Sequence, residues 1–484
     1  MLYQILSKRR ILGRKVAVAG TYRSLTYERL HHEVRRLALH LQGLGLGPGS
    51  YALIGVPPCP DFYIFFYAAA ALGVTVIPVS DSGKLSPYIK SLGPLFAVGD
   101  SNFIRTIEKG RQEICGTLRW DRRHGLAFAT ERRRFLRRKI ICKENVIGVF
   151  TSGTTGEPVL HFRSAEVLWR RSKLRADSWG ITQKDVLLST GPFTSGVNVD
   201  FHLVLPLVKG CKVVVMENFY PRTAFEAIAK ESVSVICSVP VTFELLADCP
   251  ARYAPDLNSV RLCIANGSPL ARSVYDDFHK RFGLAIGQMY GGSHITPVFT
   301  LNRGAAPDAV GHRFGPFPLE IINRHGKPLP PDAVGEIVFD VTRVKEPTLR
   351  AELLRKPTRK GRYLYTGDLG RLDADGNLFI VGRKTRLIKV GARRVIPAEV
   401  EAVLRSHPEV MEAIVHPVHA GENHENVGAV VVRKGDVTVD ELIRHCAERL
   451  DGYQCPKQIV FQRNLPRNAH GKVIRYRADA KTSS

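Results

Sequence analysis

The sequence predicts an α/β protein with a large N-terminal body of mixed or parallel sheets covered by helices, followed by a small, mobile α+β C-terminal domain. Residues 16–80 alternate between apolar runs of strand length and segments of helix length, and similar apolar runs recur between residues 186 and 289. Beyond about residue 310 the pattern changes to short strands separated by Gly, Pro and Asp turns. The alternation of strands and helices predicts the α/β fold of the N-terminal body. The change of pattern predicts short strands in the region that follows it.

The first elements follow from local periodicity and turn residues. Leu25-Thr-Tyr-Glu28 is predicted to open a helix that runs to Leu41, and Phe62–Leu72 is predicted as an apolar helix. The remaining strands of the body are predicted at Tyr51–Val56, Val74–Pro78, Val186–Ser189, Lys212–Met216, Val233–Val239, Leu262–Ala265 and Ala285–Met289.

The C-terminal part reads as a separate small domain. It begins with a predicted hairpin over Leu387–Val395, continues with a helix after Pro397 and a strand near Ala413–Val415, and ends in a basic tail from Arg467. We therefore expect an N-terminal domain over 1–383 and a C-terminal lid domain over 384–484.

Bulk composition is that of a globular protein of more than one domain. The 484 residues exceed the usual size of one core, and 44% hydrophobic with 24% charged residues is ordinary. The nine cysteines show no CxxC spacing and several lie in apolar runs, which predicts buried free thiols and a cytoplasmic location. No apolar run has the length of a membrane span.

The net charge of +25 is large, and its densest patch lies within residues 119–139. Such charge suits nucleic acid, an acidic protein or a polyanionic small molecule. A solvated surface helix is the simplest interpretation of the patch, and no nucleic-acid-binding motif accompanies it. We therefore expect no nucleic-acid partner.

One loop predicts an anion site. In Val149-Phe-Thr-Ser-Gly-Thr-Thr-Gly-Glu-Pro158, an apolar run ends in hydroxyls and glycines. Backbone N–H groups and hydroxyls in such a loop can converge on a phosphate, and glycines at 153 and 156 allow close approach. The loop lacks the Gly-Lys-Ser/Thr of a Walker A motif.

Four later motifs follow this loop in a fixed order. They are Gln288-Met-Tyr-Gly-Gly-Ser-His294, Tyr365-Thr-Gly-Asp-Leu369, Gly382-Arg-Lys-Thr-Arg-Leu-Ile-Lys-Val-Gly391 and Leu465-Pro-Arg-Asn-Ala-His-Gly-Lys472. Together with the loop they resemble the adenylate-forming superfamily, which includes acyl- and aryl-CoA synthetases, peptide-synthetase adenylation domains and firefly luciferase. The resemblance extends from about residue 16 to residue 477.

The resemblance implies roles for particular residues. Asp368 accepts hydrogen bonds from the ribose hydroxyls, Arg383 supports it, and Lys472 contacts the carboxylate and the α-phosphate during adenylation. The residues expected to bind the β- and γ-phosphates are Thr151, Ser152, Gly153, Thr154, Thr155 and Gly156.

The resemblance assigns the other nucleotide contacts to Gly267, Ser268, Tyr290, Gly291, Gly292 and Ser293. It assigns the acyl pocket to Phe193, Val197, Asn198 and Asn266. It places Gly391 in the tunnel through which the thiol enters.

Three positions depart from the family pattern. Val159 stands where the loop usually has a phosphate-side lysine, and His294 stands where a glutamate usually holds magnesium. A neutral imidazole is a poor ligand for that hard cation. Magnesium would then be held by the ATP phosphates, by water and by a hydroxyl of the protein, for which Thr155 is the candidate. A third position, Thr385, replaces the usual Asp or Lys of the hinge motif.

The implied reaction uses ATP to convert a carboxylic acid into an acyl-adenylate and transfers the acyl group to a thiol, with coenzyme A expected first. The phosphopantetheine of an acidic acyl carrier protein is the alternative thiol, and a catalytically weakened nucleotide-binding homologue is a second alternative. Amino-acid-activating relatives place an aspartate near position 197, whereas this chain has Val197 there and Asp200 further on. This favours an acid without an α-amino group, unless Asp200 faces the pocket.

Overall fold

The computed structural model describes residues 1–79, 92, 95–110, 114–122, 125–127, 145–152, 158–253, 257–291, 298–302, 307–313, 318–345, 347–354, 358–391, 393–419 and 425–466. By compactness these form two units. The first comprises the described residues of 1–308 and 344–354, and the second comprises those of 309–313, 318–343 and 358–466. The lid boundary expected at residue 383 stays a prediction.

The first unit holds two sheets. One has the strand order Gly125–Ala127, Ile114–Asp121, Leu95–Gly99, Tyr51–Ile54, Thr75–Pro78, Asn145–Ser152 and Pro158–Ser164. Within this unit the other has the order Val298–Asn302, Ile286–Gly291, Leu262–Ala265, Val235–Ser238, Val186–Ser189, Lys212–Val215, Val16–Ala19 and Ser24–Thr26. The inner pairs of both sheets are parallel, so their strands are buried on both faces and read as continuous apolar runs.

Helices complete the first unit. The helix Pro60–Leu72 begins with proline at its first turn and ends at Gly73, which has φ +73°. It is apolar on all sides and is buried, with Phe62, Phe65 and Phe66 in the main core. The other helices are Leu2–Arg9, Tyr27–Gly43, Ser101–Gly110, Ala165–Ser178, Gly196–Asn198, Leu205–Lys209, Pro221–Glu231, Pro240–Asp248, Arg272–Phe282 and Pro347–Leu354, with a π-helical segment at Val199–Val204.

The second unit contains antiparallel strands and a small α+β region. Its strands Leu319–Ile322, Gly335–Asp340, Tyr363–Leu372, Asn377–Arg383 and Gly311–Arg313 lie in that order, and Arg359–Lys360 pairs with Tyr363–Leu372. Ile388–Val390 and Arg393–Val395 form a hairpin. Val410–His419, Glu425–Arg433 and Gln458–Phe461 form a further sheet, whose core includes residues of the helices Pro397–Arg405 and Val439–Ala447.

The predicted mixed α/β fold is confirmed, and one local prediction is wrong. Leu25 lies in the strand Ser24–Thr26, and the helix starts at Tyr27 and continues to Gly43. The reason is the capping chemistry of Thr26, which is extended and whose side chain accepts a hydrogen bond from the Arg29 amide. Leu25 therefore precedes the helix start and is buried in the core.

The predictions about the cysteines and about the basic patch can be compared with side chains of the described residues. Eight cysteines there are free, and seven of these are buried. Cys142 lies outside the described residues, as do Arg132–Lys139 of the basic patch. Arg119, which belongs to the same patch, lies in the strand Ile114–Asp121, and Arg122 forms an ion pair with Glu217 at 2.9 Å. No helix within the described ranges combines the length and the apolarity that a membrane crossing requires.

Candidate nucleotide and acid site

Four neighbouring parallel strands of the first unit end at one edge of their sheet. They are Val186–Ser189, Val235–Ser238, Leu262–Ala265 and Ile286–Gly291, and the register pairs Ser238 with Ala265 and Ala265 with Gln288. Ligands of open α/β sheets bind outside the carboxyl ends of the strands. The segments that follow two of these strands contain the predicted residues Phe193–Asn198 and Asn266–Ser268, and the predicted residue Gly291 ends its own strand.

Asn266 is fixed against the neighbouring strand. Its backbone N–H and its side-chain Nδ2 both donate to the carbonyl oxygen of Ser238, each at 2.9 Å, and its side chain is buried. Gly267 follows with φ +83°, a backbone conformation that favours glycine, and is exposed. Ser268 is half-buried. The turn thus presents Gly267 and Ser268 at the edge while Asn266 anchors it.

A chain of hydroxyls at the same edge was missed by the sequence analysis. Ser238 Oγ lies 2.6 Å from Thr190 Oγ1 and 2.7 Å from Thr242 Oγ1, so three side chains from successive segments share hydrogen bonds. Single Ser and Thr residues after apolar runs are too common to signal such a network. It rigidifies the floor of the candidate site.

Tyr290 lies near the end of the strand Ile286–Gly291, opposite Thr300 of the antiparallel neighbour. Its side chain is half-buried and Gly291 is exposed, which agrees with residues that border a site. Gly292, Ser293 and His294 lie outside the described residues.

The predicted acyl-pocket residues divide between core and edge. Phe193 is buried against Phe62 and Tyr63, with ring centroids 4.6 and 5.5 Å away. Val197 packs against the same core. Asn198 is half-buried and donates from Nδ2 to the carbonyl oxygen of Pro192 at 2.9 Å. Phe193 therefore supports the segment from beneath, and its role in acyl binding stays a prediction.

The hydroxyl- and glycine-rich loop connects two antiparallel strands. Asn145–Ser152 pairs with Pro158–Ser164, and the register places Thr151 opposite Val159 and Ser152 opposite Pro158. Gly153, Thr154, Thr155 and Gly156 lie outside the described residues, as does Lys472. Their predicted roles stay predictions.

In the second unit, Asp368 and Arg383 form an ion pair across two strands. They are register partners, and Arg383 Nε donates to Asp368 Oδ1 at 2.8 Å. Both side chains are partly exposed, Asp368 by 16% and Arg383 by 26%. A carboxylate held in this way is fixed in orientation while it remains open to a ligand.

The turn that carries Asp368 is itself fixed. Thr366 is buried, its hydroxyl donates to the carbonyl oxygen of Ile337 at 2.8 Å, and the same hydroxyl accepts from the Asp368 amide at 2.9 Å. Gly367 between them has φ +74°. Each residue of Thr-Gly-Asp thus has a structural role. Thr366 supplies the buried hydroxyl, Gly367 adopts the left-handed backbone conformation, and Asp368 carries the partly exposed carboxylate.

Gly391 lies at the tip of the hairpin formed by Ile388–Val390 and Arg393–Val395. It has φ +59° and is exposed, and a side chain there would meet no atom of the described residues within 4 Å. Its predicted role in the thiol tunnel stays a prediction.

Asp200 lies in a buried cluster of arginines that the sequence analysis did not foresee. Its carboxylate lies 3.0 Å from Arg171 Nη2 and 3.7 Å from Arg163 Nη1, and it is also bonded to Arg175 Nη1. Burial alone raises the pKa of Asp200, but the three guanidinium groups outweigh burial and hold that pKa below its usual value. Asp200 thus pairs within the protein and offers no counter-charge to a substrate ammonium.

A metal site is not formed by the described side chains. No group of three His, Cys, Asp or Glu residues with suitable placement occurs among them, and Thr155, the one predicted protein ligand, lies outside them.

These features define an α/β protein with a polar site at the carboxyl edge of a parallel sheet. Its second unit carries a partly exposed carboxylate, Asp368, that is paired with Arg383. The chain matches the family described as AMP-binding enzyme over residues 9–344 and the AMP-binding enzyme C-terminal domain over residues 399–472. It belongs to the AMP-binding enzyme family, and the resemblance to adenylate-forming enzymes is confirmed.

Individual relatives extend over nearly the whole chain. A 2-succinylbenzoate–CoA ligase of Geobacillus sp. (strain WCH70) is 28% identical over 96% of this chain and 94% of its own length. A fatty acid–[acyl-carrier-protein] ligase of Streptomyces coeruleorubidus is 26% identical over 95% and 92%. The structure of O-succinylbenzoate coenzyme A synthetase from Bacillus subtilis, in complex with ATP and magnesium ion, superposes with a TM-score of 0.80 at 24% identity, covering 97% of this chain and 98% of that one.

Proposed function

We propose that this enzyme is an AMP-forming acid–thiol ligase that uses coenzyme A. The observation that carries the proposal is the Asp368–Arg383 pair, a partly exposed carboxylate fixed by an arginine at 2.8 Å, in a chain that holds both AMP-binding domains. A carboxylate suits the two adjacent hydroxyls of a ribose because each hydroxyl can donate to one oxygen.

The reaction has two balanced steps. In the first, a carboxylate oxygen of the acid attacks the α-phosphorus of ATP, the bond to the β-phosphate breaks, and pyrophosphate leaves. In the second, a thiolate attacks the acyl carbon, the bond to the adenylate oxygen breaks, and AMP leaves. Because anions converge in the first step, the protein must supply donors and positive charge where charge develops.

We assign the donors as follows. The loop from Thr151 to Gly156 holds the terminal phosphates, and Lys472 neutralises the charge shared by the acid and the α-phosphate. Gly267, Ser268 and Tyr290 border the nucleotide and acyl groups. Magnesium, when bound, would supply further positive charge to the phosphates, and Thr155 would be its protein ligand. The substitution of Val159 for the usual lysine leaves this loop with one cation fewer.

The acid has no α-amino group in this proposal. Asp200 is fully buried and its charge is engaged by three arginines, so an ammonium group would find no counter-charge there. The free cysteines of the described chain suit a reducing compartment, and we propose a cytoplasmic location on that ground.

The deciding experiment is acid-dependent exchange of labelled pyrophosphate into ATP with a panel of aryl and aliphatic acids. Lys472→Ala is expected to lower the exchange rate by on the order of 100- to 1,000-fold, the usual cost of removing one transition-state donor. Lys457→Ala is the matched control, because Lys457 is an exposed lysine of the same C-terminal region, and it should keep the wild-type rate. Full exchange by Lys472→Ala would refute the assignment, and absence of exchange with all acids at all magnesium concentrations would favour a weakened nucleotide-binding homologue.

A carrier protein is the second candidate thiol. The net charge of +25 suits an acidic partner, and one relative is named as a ligase for an acyl carrier protein. Reversal of the charges in the basic segment 119–139 should cripple transfer to a carrier while it leaves pyrophosphate exchange unchanged. If transfer to the carrier is unaffected by the reversal, the basic segment does not dock a carrier and this docking role is wrong.

A further inference from the structure

The helix that carries two of the predicted acyl-pocket residues changes its winding along its length. It begins as Gly196–Asn198, continues as the π-helical segment Val199–Val204, and ends as Leu205–Lys209. The amide of Leu205 bonds to the carbonyl oxygen of Asp200, which lies five residues back rather than four. A π turn contains one residue more than an α turn and is frequent at functional sites. It therefore changes by one position which side chains of the helix face a given direction.

A proline close behind this segment explains the change of winding. In a regular helix the amide of residue 206 would donate to the carbonyl oxygen of His202, but Pro206 has no N–H. A proline ring also crowds the carbonyl four residues before it, which favours a wider turn. The sequence of the helix thus removes one regular hydrogen bond at His202.

Two buried tyrosines of the helix Pro60–Leu72 donate to this segment from outside. The hydroxyl of Tyr63 donates to the carbonyl oxygen of His202 at 2.9 Å, and that of Tyr67, one turn further on, donates to the carbonyl oxygen of Leu203 at 2.5 Å. Both side chains are buried. Because a buried carbonyl without a donor is costly, the Tyr63 hydroxyl takes the place of the amide that Pro206 lacks.

Tyr63 also contacts the start of the predicted acyl-pocket stretch. Its ring meets the ring of Phe193 edge to face, with the centroids 5.5 Å apart. Val197 and Asn198 lie in the chain between this contact and the bond at His202, and both are half-buried. One side chain thus holds the chain on both sides of two residues that the proposed function places near the acid.

We propose that Tyr63 is a positioning residue for the acid. Together with Tyr67 and Pro206 it fixes the winding of the π-helical segment, and this winding decides how Val197 and Asn198 face the acid. The inference rests on the proposed function, since it concerns the acid of that same reaction. Without the Tyr63 hydroxyl the segment rewinds and these two side chains turn, so the selection among acids changes while the binding of ATP does not.

Tyr63→Phe removes the hydroxyl and keeps the ring against Phe193. The assay is pyrophosphate exchange with hexanoate, octanoate, benzoate and 3-phenylpropanoate. The variant should change the ratio of kcat/KM between the two acids that the wild type uses best by on the order of 10-fold, because small displacements around a reacting group are costly. The KM for ATP should stay at the wild-type value.

Pro206→Ala acts on the same segment without removing a side-chain hydrogen bond. Alanine restores an amide that can donate to the carbonyl oxygen of His202, and it favours a regular helix. The variant should therefore be at least as stable as the wild type, whereas Tyr63→Phe should have a lower thermal midpoint. Both variants should nevertheless change the ratio between the acids, which separates positioning from stability.

Tyr27→Phe is the matched control. Tyr27 is as buried as Tyr63, and its hydroxyl donates to the carbonyl oxygens of Pro206 at 3.0 Å and Cys211 at 2.8 Å, both beyond the π-helical segment. The loss of this hydroxyl should lower the thermal midpoint, as the loss of the Tyr63 hydroxyl does. The ratio between the acids should stay at the wild-type value.

The pattern over the three variants decides the inference. A changed ratio in Tyr63→Phe and Pro206→Ala, with the wild-type ratio in Tyr27→Phe, supports it. A fall by the same factor for all acids in Tyr63→Phe, or an equal change of ratio in Tyr27→Phe, overturns it and leaves the proposed function standing. The wild-type ratio in Pro206→Ala also overturns it, because the winding of the segment would then not decide the selection.

Binding without turnover separates this inference from the proposed function. If no acid gives exchange, the proposed function fails, and the thermal midpoint of each protein is measured with each acid and a nonhydrolysable ATP analogue. An order of stabilisation by the acids that differs from the wild type in Tyr63→Phe and Pro206→Ala, but not in Tyr27→Phe, still supports the inference. The same order in all four proteins, or no stabilisation by any acid, overturns it.

Discussion

Asp368 shows how one turn prepares a binding group. Its backbone is fixed by the buried hydroxyl of Thr366, and its side chain by Arg383. Because the carboxylate is oriented before any ligand arrives, little conformational entropy is lost when it binds. We therefore expect its contribution to appear in the affinity for ATP rather than in protein stability.

Asp368→Asn keeps the size of the side chain but removes its charge. The KM for ATP should rise by roughly 10- to 100-fold, since hydrogen bonds to a charged group contribute about 1.5–3 kcal/mol. Asp332→Asn is the control, because Asp332 also pairs with an arginine, Arg371, but with a side chain that is 64% exposed. It should leave the KM unchanged in the exchange assay, and an equal rise in both variants would contradict the ribose role of Asp368.

Among the elements, buried parallel strands were the easiest to predict. Val186–Ser189 and Leu262–Ala265 have the predicted bounds, because strands covered on both faces are continuous apolar runs closed by polar residues. Leu25 was misplaced because the β-strand before the helix Tyr27–Gly43 is only three residues long. A segment of this length is too short to show the alternation of a strand, so only the N-cap residue Thr26 marks the change from strand to helix.

The arginine cluster could not be predicted in the same way. Arg171 and Arg175 are spaced by one helical turn within Arg170-Arg-Ser-Lys-Leu-Arg175, a pattern that normally marks a solvated face. Their burial depends on Asp200, which comes 25 residues after Arg175. Sequence patterns report local periodicity, whereas the pairing of distant charges is decided by the tertiary fold. The candidate edge of the sheet was predictable, but the buried cluster of charges was not.

Asp185 ties together the starts of three neighbouring strands. It accepts from Arg261 through both carboxylate oxygens, each at 2.8 Å, from Ser234 Oγ at 2.7 Å, and from the Thr182 amide at 2.8 Å. These residues precede the strands Val186–Ser189, Val235–Ser238 and Leu262–Ala265. Burial alone raises the pKa of Asp185, but the bond from Arg261 and the other donors outweigh it and lower the pKa to about 2.

Because the folded-state pKa of Asp185 is depressed, its contribution is present above the unfolded-state pKa and is lost as the pH falls toward 2. Asp185→Asn should lower the free energy of unfolding by about 2 kcal/mol at pH 7. Urea unfolding of both proteins between pH 7 and the lowest pH at which the wild type stays folded should show the difference shrinking below pH 4.

Asp177→Asn is the comparison for Asp185→Asn. Asp177 pairs with Lys173 and Lys209, but its side chain is 42% exposed. Its loss should cost less than about 1 kcal/mol. A pH-independent loss in Asp185→Asn would mean that the hydrogen-bonded shape, and not the charge, of Asp185 holds the strand starts.

At the scale of the whole molecule, one chain must carry both halves of the reaction. The residues proposed for adenylation occur from Thr151 to Lys472, whereas Gly391 alone is assigned to the passage of the thiol. A change at Gly391 should therefore separate the two half-reactions, as changes at Lys472 or Asp368 do not.

Gly391→Phe places a large side chain at a backbone φ of +59° in open space. Pyrophosphate exchange should stay near the wild-type rate, while thioester formation with coenzyme A should fall by on the order of 100-fold, because the acceptor sulfur can no longer reach its attack position. The control is Gly361→Phe, which has nearly the same φ of +58° and is equally open, so it introduces the same backbone strain without a thiol role. Loss of exchange in both variants would attribute the effect to strain in the second unit. Normal thioester formation by Gly391→Phe would remove Gly391 from the thiol path, and selective loss in that variant alone would place the thiol at the hairpin.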